Sequence, residues 1–345
     1  MSNIREVAKV AGVSVATVSR ALSHPEKVSE TSILKVKKAI EQVKYRPNML
    51  ARNFRSARSY SLVVLVPNIS NPFFSLVIRS IENQAQKRGY SVLLGDTQDS
   101  SLREKEYIKL VETRLADGII QLRPHSAAAP SLQAHGLPCV NLCGTEDTAG
   151  PCIRVDNIQA TKTVVDYLVS LNHRRIGLIT GLHSNPHSID RIKGYRLSLE
   201  SAGIAYDSAL VSEGEYTIWS GVKAANRLCQ LQDRPTAIVC MNDEMAIGAI
   251  QSLKSHQLRV PEDVSVTGFD DIDYARYCDP PITTISQPVN DMGKIAVDLL
   301  LQIIEGDEQV DDHHVLPYDF IIRKSTATAS DQQSQATGQV NSAVF

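Results

Sequence analysis

The stretch from Ile4 to Leu22, IREVAKVAGVSVATVSRAL, constrains the chain more than any other. Asn3 stands three residues before Glu6, the spacing of a capping box, in which Asn accepts a first-turn N–H and Glu reaches back. A helix is therefore expected from Ile4, with Ile4, Val7, Ala8 and Ala11 on its buried side and Arg5, Glu6 and Lys9 in water. Gly12 supplies the left-handed residue that ends such a helix. Ser14 then caps a second helix in which Val18, Ala21 and Leu22 point inward. Two short helices joined at a glycine turn make a helix-turn-helix. The first turn and outer face of the second helix carry Val15, Ala16, Thr17, Ser19 and Arg20. These are short side chains that permit close approach, plus one guanidinium able to bond guanine through two hydrogens, as a helix reading the major groove requires. The plain alternative is a helical hairpin buried in some larger core.

Charge favours the first. Residues 1 to 60 hold twelve Lys and Arg against four Asp and Glu, a net of +8, whereas the whole chain is −2, so the remainder carries −10. A basic head on an acidic body points to nucleic acid. After a polar loop with Pro25, Ser29 stands at a third N-cap, and Ile33, Val36, Ile40 and Val43 follow at helical spacing. Three short helices close a small core that buries little surface. YRPNMLARNFRSARSYS comes next, basic and Ser-rich, and by composition reads as a solvated linker.

From Ser61 the pattern becomes α/β. SLVVLVPN is a near-continuous apolar run suited to a strand buried on both faces. A helix over 72–88, strand YSVLLGD, a helix over 104–116 and strands DGIIQL and LPCVNLC follow. A second series starts with a helix over 160–171 and continues through RIGLIT, a helix over 189–202, TAIVCMN, a helix over 243–255 and VSVTGFD. Such alternation predicts parallel sheets flanked by helices, and two series predict two lobes. The chain ends in a helix over 292–305, a strand YDFIIRKST and, after Ala329, a polar tail expected to be disordered.

Several function classes are disfavoured. A capped amphipathic helix stands where a secretory signal would be apolar, and no run of about 18 apolar residues occurs, so a cytoplasmic protein without membrane spans is expected. The cysteines at 139, 143, 152, 229, 240 and 278 contain no CxxC pair and read as reduced core residues, with no metal site. GxSxG and Walker motifs are missing, and the acids of DDID at 270 to 273 fit turn or ligand duties, so no catalytic residues are assigned.

Ligands of open parallel sheets lie beyond the carboxyl ends of strands. Phe73 and Phe74 follow the first strand, Arg191 follows RIGLIT, Asn242 and Asp243 follow TAIVCMN, and Asp270 and Asp271 follow VSVTGFD. A guanidinium, an amide and a carboxylate converging there make a clamp for hydroxyls, beside an aromatic wall that stacks on a planar ring or covers the core.

VAKVAGVSVATVSRAL, followed by VSETSILKVKKAIEQVKYRPNMLAR, resembles the head of the LacI/GalR (lactose repressor) family of bacterial transcription regulators, and the resemblance extends over about residues 3 to 326. It implies a helix-turn-helix head over 1–46, a hinge over 47–60 and a two-lobed, periplasmic-binding-protein-like core over 61–329, then the tail 330–345. The implied lobes are about 61–158 with 289–317, and about 159–288 with 318–329. By the same resemblance the hinge becomes helical on DNA, presenting Asn48, Ala51, Arg52 and Phe54 to the minor groove. Phe54 stands where the family usually has a Leu wedge; it is likewise apolar and, unlike Leu, flat. Arg191, Asn242 and Asp270 match the family's effector contacts, Tyr216 takes the place of an aromatic against the ligand with Trp219 as the alternative, and Cys143 departs from the usual Asp or Asn.

NPFFSLVIRSIE, YSVLLGD, EKEYIKL, ADGII and CDPPITTISQP look most like the cytidine-repressor branch, which implies a nucleoside effector and a DNA-bound cyclic-AMP receptor protein as a partner. The expectation is a homodimeric repressor on a palindromic operator, controlled by a small effector and needing no cofactor. The rival is a soluble nucleoside- or sugar-binding protein without specific DNA binding, against which the basic head argues.

Overall fold

The computed structural model describes residues 3–23, 27–45, 58–123, 136–307 and 313–329. It divides into two compact units, Met1–Ser59 and Tyr60–Phe345. The hinge positions Asn48, Ala51, Arg52 and Phe54 and the tail lie outside the described residues.

The first unit is built from α1 (Ile4–Ala11), α2 (Val15–Ser23) and α3 (Glu30–Gln42). Asn3 accepts the Glu6 N–H at 3.0 Å, and Gly12 ends α1 at φ 64°, in the left-handed region. Ser14 caps α2 by accepting the Thr17 N–H at 3.0 Å. Val7, Ala8, Ala11, Val18, Val36 and Ala39 form the buried core, with Ile4, Val13, Ala21, Ile40, Val43 and Tyr45 packed around it. Two expectations change. Leu22 is on the surface, 38% exposed, because Val18 and Ala21 already fill that side of α2. Ser29 occupies the cap position of α3, yet its hydroxyl donates to Ser32 instead of accepting a backbone N–H.

The second unit opens with β1 (Ser61–Val66), α4 (Pro72–Lys87), β2 (Ser91–Asp96), α5 (Ser101–Glu112), β3 (Gly118–Leu122), β4 (Cys139–Leu142) and β5 (Cys152–Val155). Alternate residues of β1 face opposite ways: Leu62, Val64 and Val66 join the core with Phe73, Val77 and Ile81 of α4, while Val63 and Leu65 pack with Val111 of α5 and with Ala116. Such burial on both faces is what its unbroken apolar run requires. The chain continues through α6 (Asn157–Ser170), β6 (Ile176–Thr180), α7 (Pro186–Ser201), β7 (Val211–Glu213), α8 (Ile218–Cys229), β8 (Ala237–Cys240), α9 (Asp243–Ser255), β9 (Ser265–Thr267) and the short α10 (Asp273–Tyr277). It closes with β10 (Thr284–Ser286), α11 (Val289–Glu305), β11 (His313–Leu316) and β12 (Asp319–Ile321).

The strands form two parallel sheets, ordered β11-β5-β4-β3-β1-β2 and β7-β6-β8-β9, and β10 pairs antiparallel with β12. The chain leaves the first sheet after Val155, returns in α11, whose Gly293 packs on Ser80 and Ile81 of α4, and leaves again after Leu316. Three passages between sheets give two lobes with a cleft where the strand carboxyl ends meet. Among the described residues no helix is long and apolar enough to cross a membrane.

Candidate functional site

The cleft is open to solvent and lined from both lobes. Phe73 and Phe74 begin α4, directly behind the Asn71 cap and Pro72, and their rings stand 5.5 Å apart at 57°. Both are buried and both line the cleft, so covering the core and walling the site are one task for this pair.

Opposite them sits Arg191, one helical turn into α7. Its Nε donates to Asn157 Oδ1 at 2.8 Å, its Nη1 donates to the Met241 carbonyl, and its guanidinium lies 3.5 Å over the Phe269 ring. These contacts fix the fork and leave donors of Nη1 and Nη2 for a ligand. Asp270 stands 4.0 Å from Nη2 and accepts from Gln287 at 2.8 Å. Burial pushes its carboxyl up to about 6, against the opposing pull of Arg191 and the Gln287 bond. A buried acid beside a buried guanidinium offers acceptor and donors within one sugar's reach.

Tyr216 lines the cleft at φ 59°, its hydroxyl 2.8 Å from that of Ser188. The ring lies across Gly181, where an added Cβ would collide with Cε2, Cζ and the hydroxyl of Tyr216. Gly181→Ala is therefore expected to push Tyr216 from its seat and cost about 1–3 kcal/mol of effector affinity, seen by titration as a weaker Kd with effector-free operator binding unchanged.

Asn242 is placed differently from the expectation. It is buried outside the cleft lining as the N-cap of α9, Oδ1 accepting the Met245 N–H at 3.0 Å and Nδ2 donating to the Tyr216 carbonyl at 3.1 Å. With α9 starting at Asp243, directly beyond, Asn242 caps that helix and pins the backbone that presents Tyr216. Asp243 and Asp271 likewise serve the scaffold: Asp243 accepts from Thr284 and from the Ile272 N–H, and Asp271 pairs with Arg323. Trp219 is 65% exposed and outside the lining. Cys143 does line the cleft, and burial holds its thiol protonated. All six cysteines are free thiols, and no metal-holding cluster of His, Cys, Asp or Glu occurs among the described residues.

The cleft also gathers residues that the sequence reading did not single out. Arg123, after β3, pairs with Asp99, after β2; Asn157 opens α6; His187 and Gln287 complete the wall. The rule that placed Arg191 and Asp270 at strand ends, applied to the first lobe, points equally to Asp99 and Arg123.

In the first unit, Val15, Ala16 and Arg20 are exposed on α2, and Thr17 and Ser19 are half-buried. The Thr17 hydroxyl meets that of Ser14 at 2.8 Å, so Thr17 helps to hold the capped turn.

Two sequence families match the chain: bacterial regulatory proteins of the lacI family over residues 3–48, and a periplasmic binding protein-like domain over residues 165–326. The HTH-type transcriptional repressor CytR of Escherichia coli K12 is 38% identical over 328 residues, covering 94% of this chain and 96% of its own. The chain belongs to the LacI family. It is thus a DNA-binding transcriptional repressor and not an enzyme. The lac repressor dimer bound to operator and an anti-inducer superposes with a TM-score of 0.86 at 28% identity, over 94% of this chain and 99% of that one. A LacI-family regulator from Enterococcus faecium with bound ribose gives 0.69 at 28% identity, over 78% and 99%.

Proposed function

We propose that this repressor is a homodimer that reads a palindromic operator and is controlled by a nucleoside bound between its lobes, cytidine being the first candidate. The observation that carries the reading is the pairing, in one cleft, of the Phe73 and Phe74 wall with the Arg191, Asp270 and Gln287 clamp. A nucleoside has the same division: a flat base that gains from stacking and a ribose whose vicinal hydroxyls both donate to a carboxylate and accept from a guanidinium. The ribose-bound relative supports the sugar half, and the identity with CytR supports the nucleoside.

Dimerisation is supported by the dimeric lac repressor and by β2, an edge strand with Leu93 and Leu94 exposed in succession. Two recognition helices about 34 Å apart then read two half-sites. Such a regulator works in the cytoplasm beside its DNA, needs no cofactor, and on the branch resemblance shares operators with a cyclic-AMP receptor protein.

Calorimetric titration of the full-length protein with cytidine, uridine, adenosine, free bases and ribose tests the reading. A nucleoside is expected to bind more tightly than either of its halves. Ribose binding as tightly as any nucleoside would instead make the protein a sugar-responsive repressor.

A further inference from the structure

Arg191, Asn157 and His187 form a chain of hydrogen bonds whose direction follows from chemistry alone. A guanidinium only donates, so the 2.8 Å contact of Arg191 Nε fixes Oδ1 of Asn157 toward it and turns the amide NH₂ away. That NH₂ lies 3.3 Å from the Val155 carbonyl and 3.3 Å from His187 Nδ1. Since an amide NH₂ only donates, Nδ1 accepts and carries no proton. The proton of the neutral ring is then on Nε2, available to the backbone of Cys143, which lines the same cleft from the other lobe.

The ends of this chain lie in different lobes. Arg191 and His187 belong to the first turns of α7, beside the second sheet, whereas Cys143 directly follows β4 of the first. Asn157 stands at the first passage between them. Burial foremost, then the charges of Arg191 on its own helix and Arg123 across the cleft, hold the His187 ring down at about 3, so it stays neutral wherever the protein is folded near neutral pH.

We propose that His187, as the Nε2–H tautomer, is a positioning residue that couples the setting of the Arg191 guanidinium to the angle between the lobes. The proposal rests on the effector reading above. A ligand that engages the free donors of Arg191 resets Asn157, which has partners on both sides; the imidazole passes that displacement to the Cys143 carbonyl and hence to β4. A side chain of similar bulk that neither accepts nor donates would leave the cleft filled but the lobes uncoupled.

The test uses full-length protein, an operator fragment and cytidine. At cytidine concentrations that saturate each variant, His187→Leu is expected to lose at least about tenfold of the effector-induced change in operator affinity, a coupling of about 1.4 kcal/mol. His187→Gln is expected to restore most of it, because its amide offers one acceptor and one donor at a spacing close to that of the imidazole. A nitrogen-15 spectrum of histidine-labelled protein near pH ~6 is expected to show His187 unprotonated at Nδ1 and protonated at Nε2, the signal being assigned by its loss in His187→Gln. A wild-type response in His187→Leu, or an Nδ1–H or doubly protonated ring, overturns the proposal. If wild-type protein ignores cytidine, the nucleoside reading is what fails, and the tautomer measurement still decides whether this chain of bonds exists.

Discussion

Asp270→Asn is expected to weaken effector binding by roughly 10- to 150-fold, the ~1.5–3 kcal/mol carried by hydrogen bonds to a charged group, while operator binding without effector persists. Asn suits the position because residue 270 sits at φ 105°, where Asp and Asn are tolerated far better than branched side chains. The substitution keeps the shape, removes the charge and turns one of the two accepting oxygens into a donating NH₂. The same residue sets a pH dependence. Ribose hydroxyls donate to the ionised acid, and burial has moved its pKa up to about 6, so the apparent Kd is expected to be flat above that pH and to weaken about tenfold per unit below it. In Asp270→Asn that slope disappears. The sign for stability without ligand is opposite. A buried acid raised above its unfolded pKa contributes stability that is full below the unfolded value and lost as pH rises through about 6. Titration across that range, with melting curves alongside, checks both; an unaltered pH slope in Asp270→Asn would remove this carboxylate from effector binding.

How legible the molecule was in its sequence depends on how local each feature is. Asn3, Gly12 and Ser14 could be read directly because a cap is settled by residues a few positions apart. The long helices and apolar strands were legible for the same reason. Some of the shortest strands were not: Val211–Glu213 and His313–Leu316 carry no apolar run long enough to register, and their partners determine them. Arg191 and Asp270 followed from the strand-end rule and line the cleft, whereas that rule does not reveal that Asn242 also caps the next helix. His187 and Asn157 are thirty residues apart and only the fold joins them. Nothing in NPHSID or VDNIQ distinguishes such a pair from ordinary helix openings.

Arg20→Ala is the corresponding experiment on the other unit. Arg20 is exposed on α2, whose inner face is fixed by Val18 and Ala21 against Val36 and Ala39, so its removal leaves the small head core intact. The expected loss is about 1–3 kcal/mol per head on the preferred operator, with much less on unrelated DNA. In a homodimer the change is made twice, and the loss on a full palindrome should approach double that on a single half-site. A base contact and a phosphate contact separate cleanly here. Loss of a base contact flattens the preference among operator variants at one position; loss of a phosphate contact weakens all sequences alike and lowers the salt slope by about one. Binding of wild-type and Arg20→Ala protein to a panel of single-base operator variants at two salt concentrations therefore assigns the residue. A uniform loss across the panel would move Arg20 from the groove to the backbone, and leave sequence reading to Val15, Ala16 and the half-buried Thr17 and Ser19.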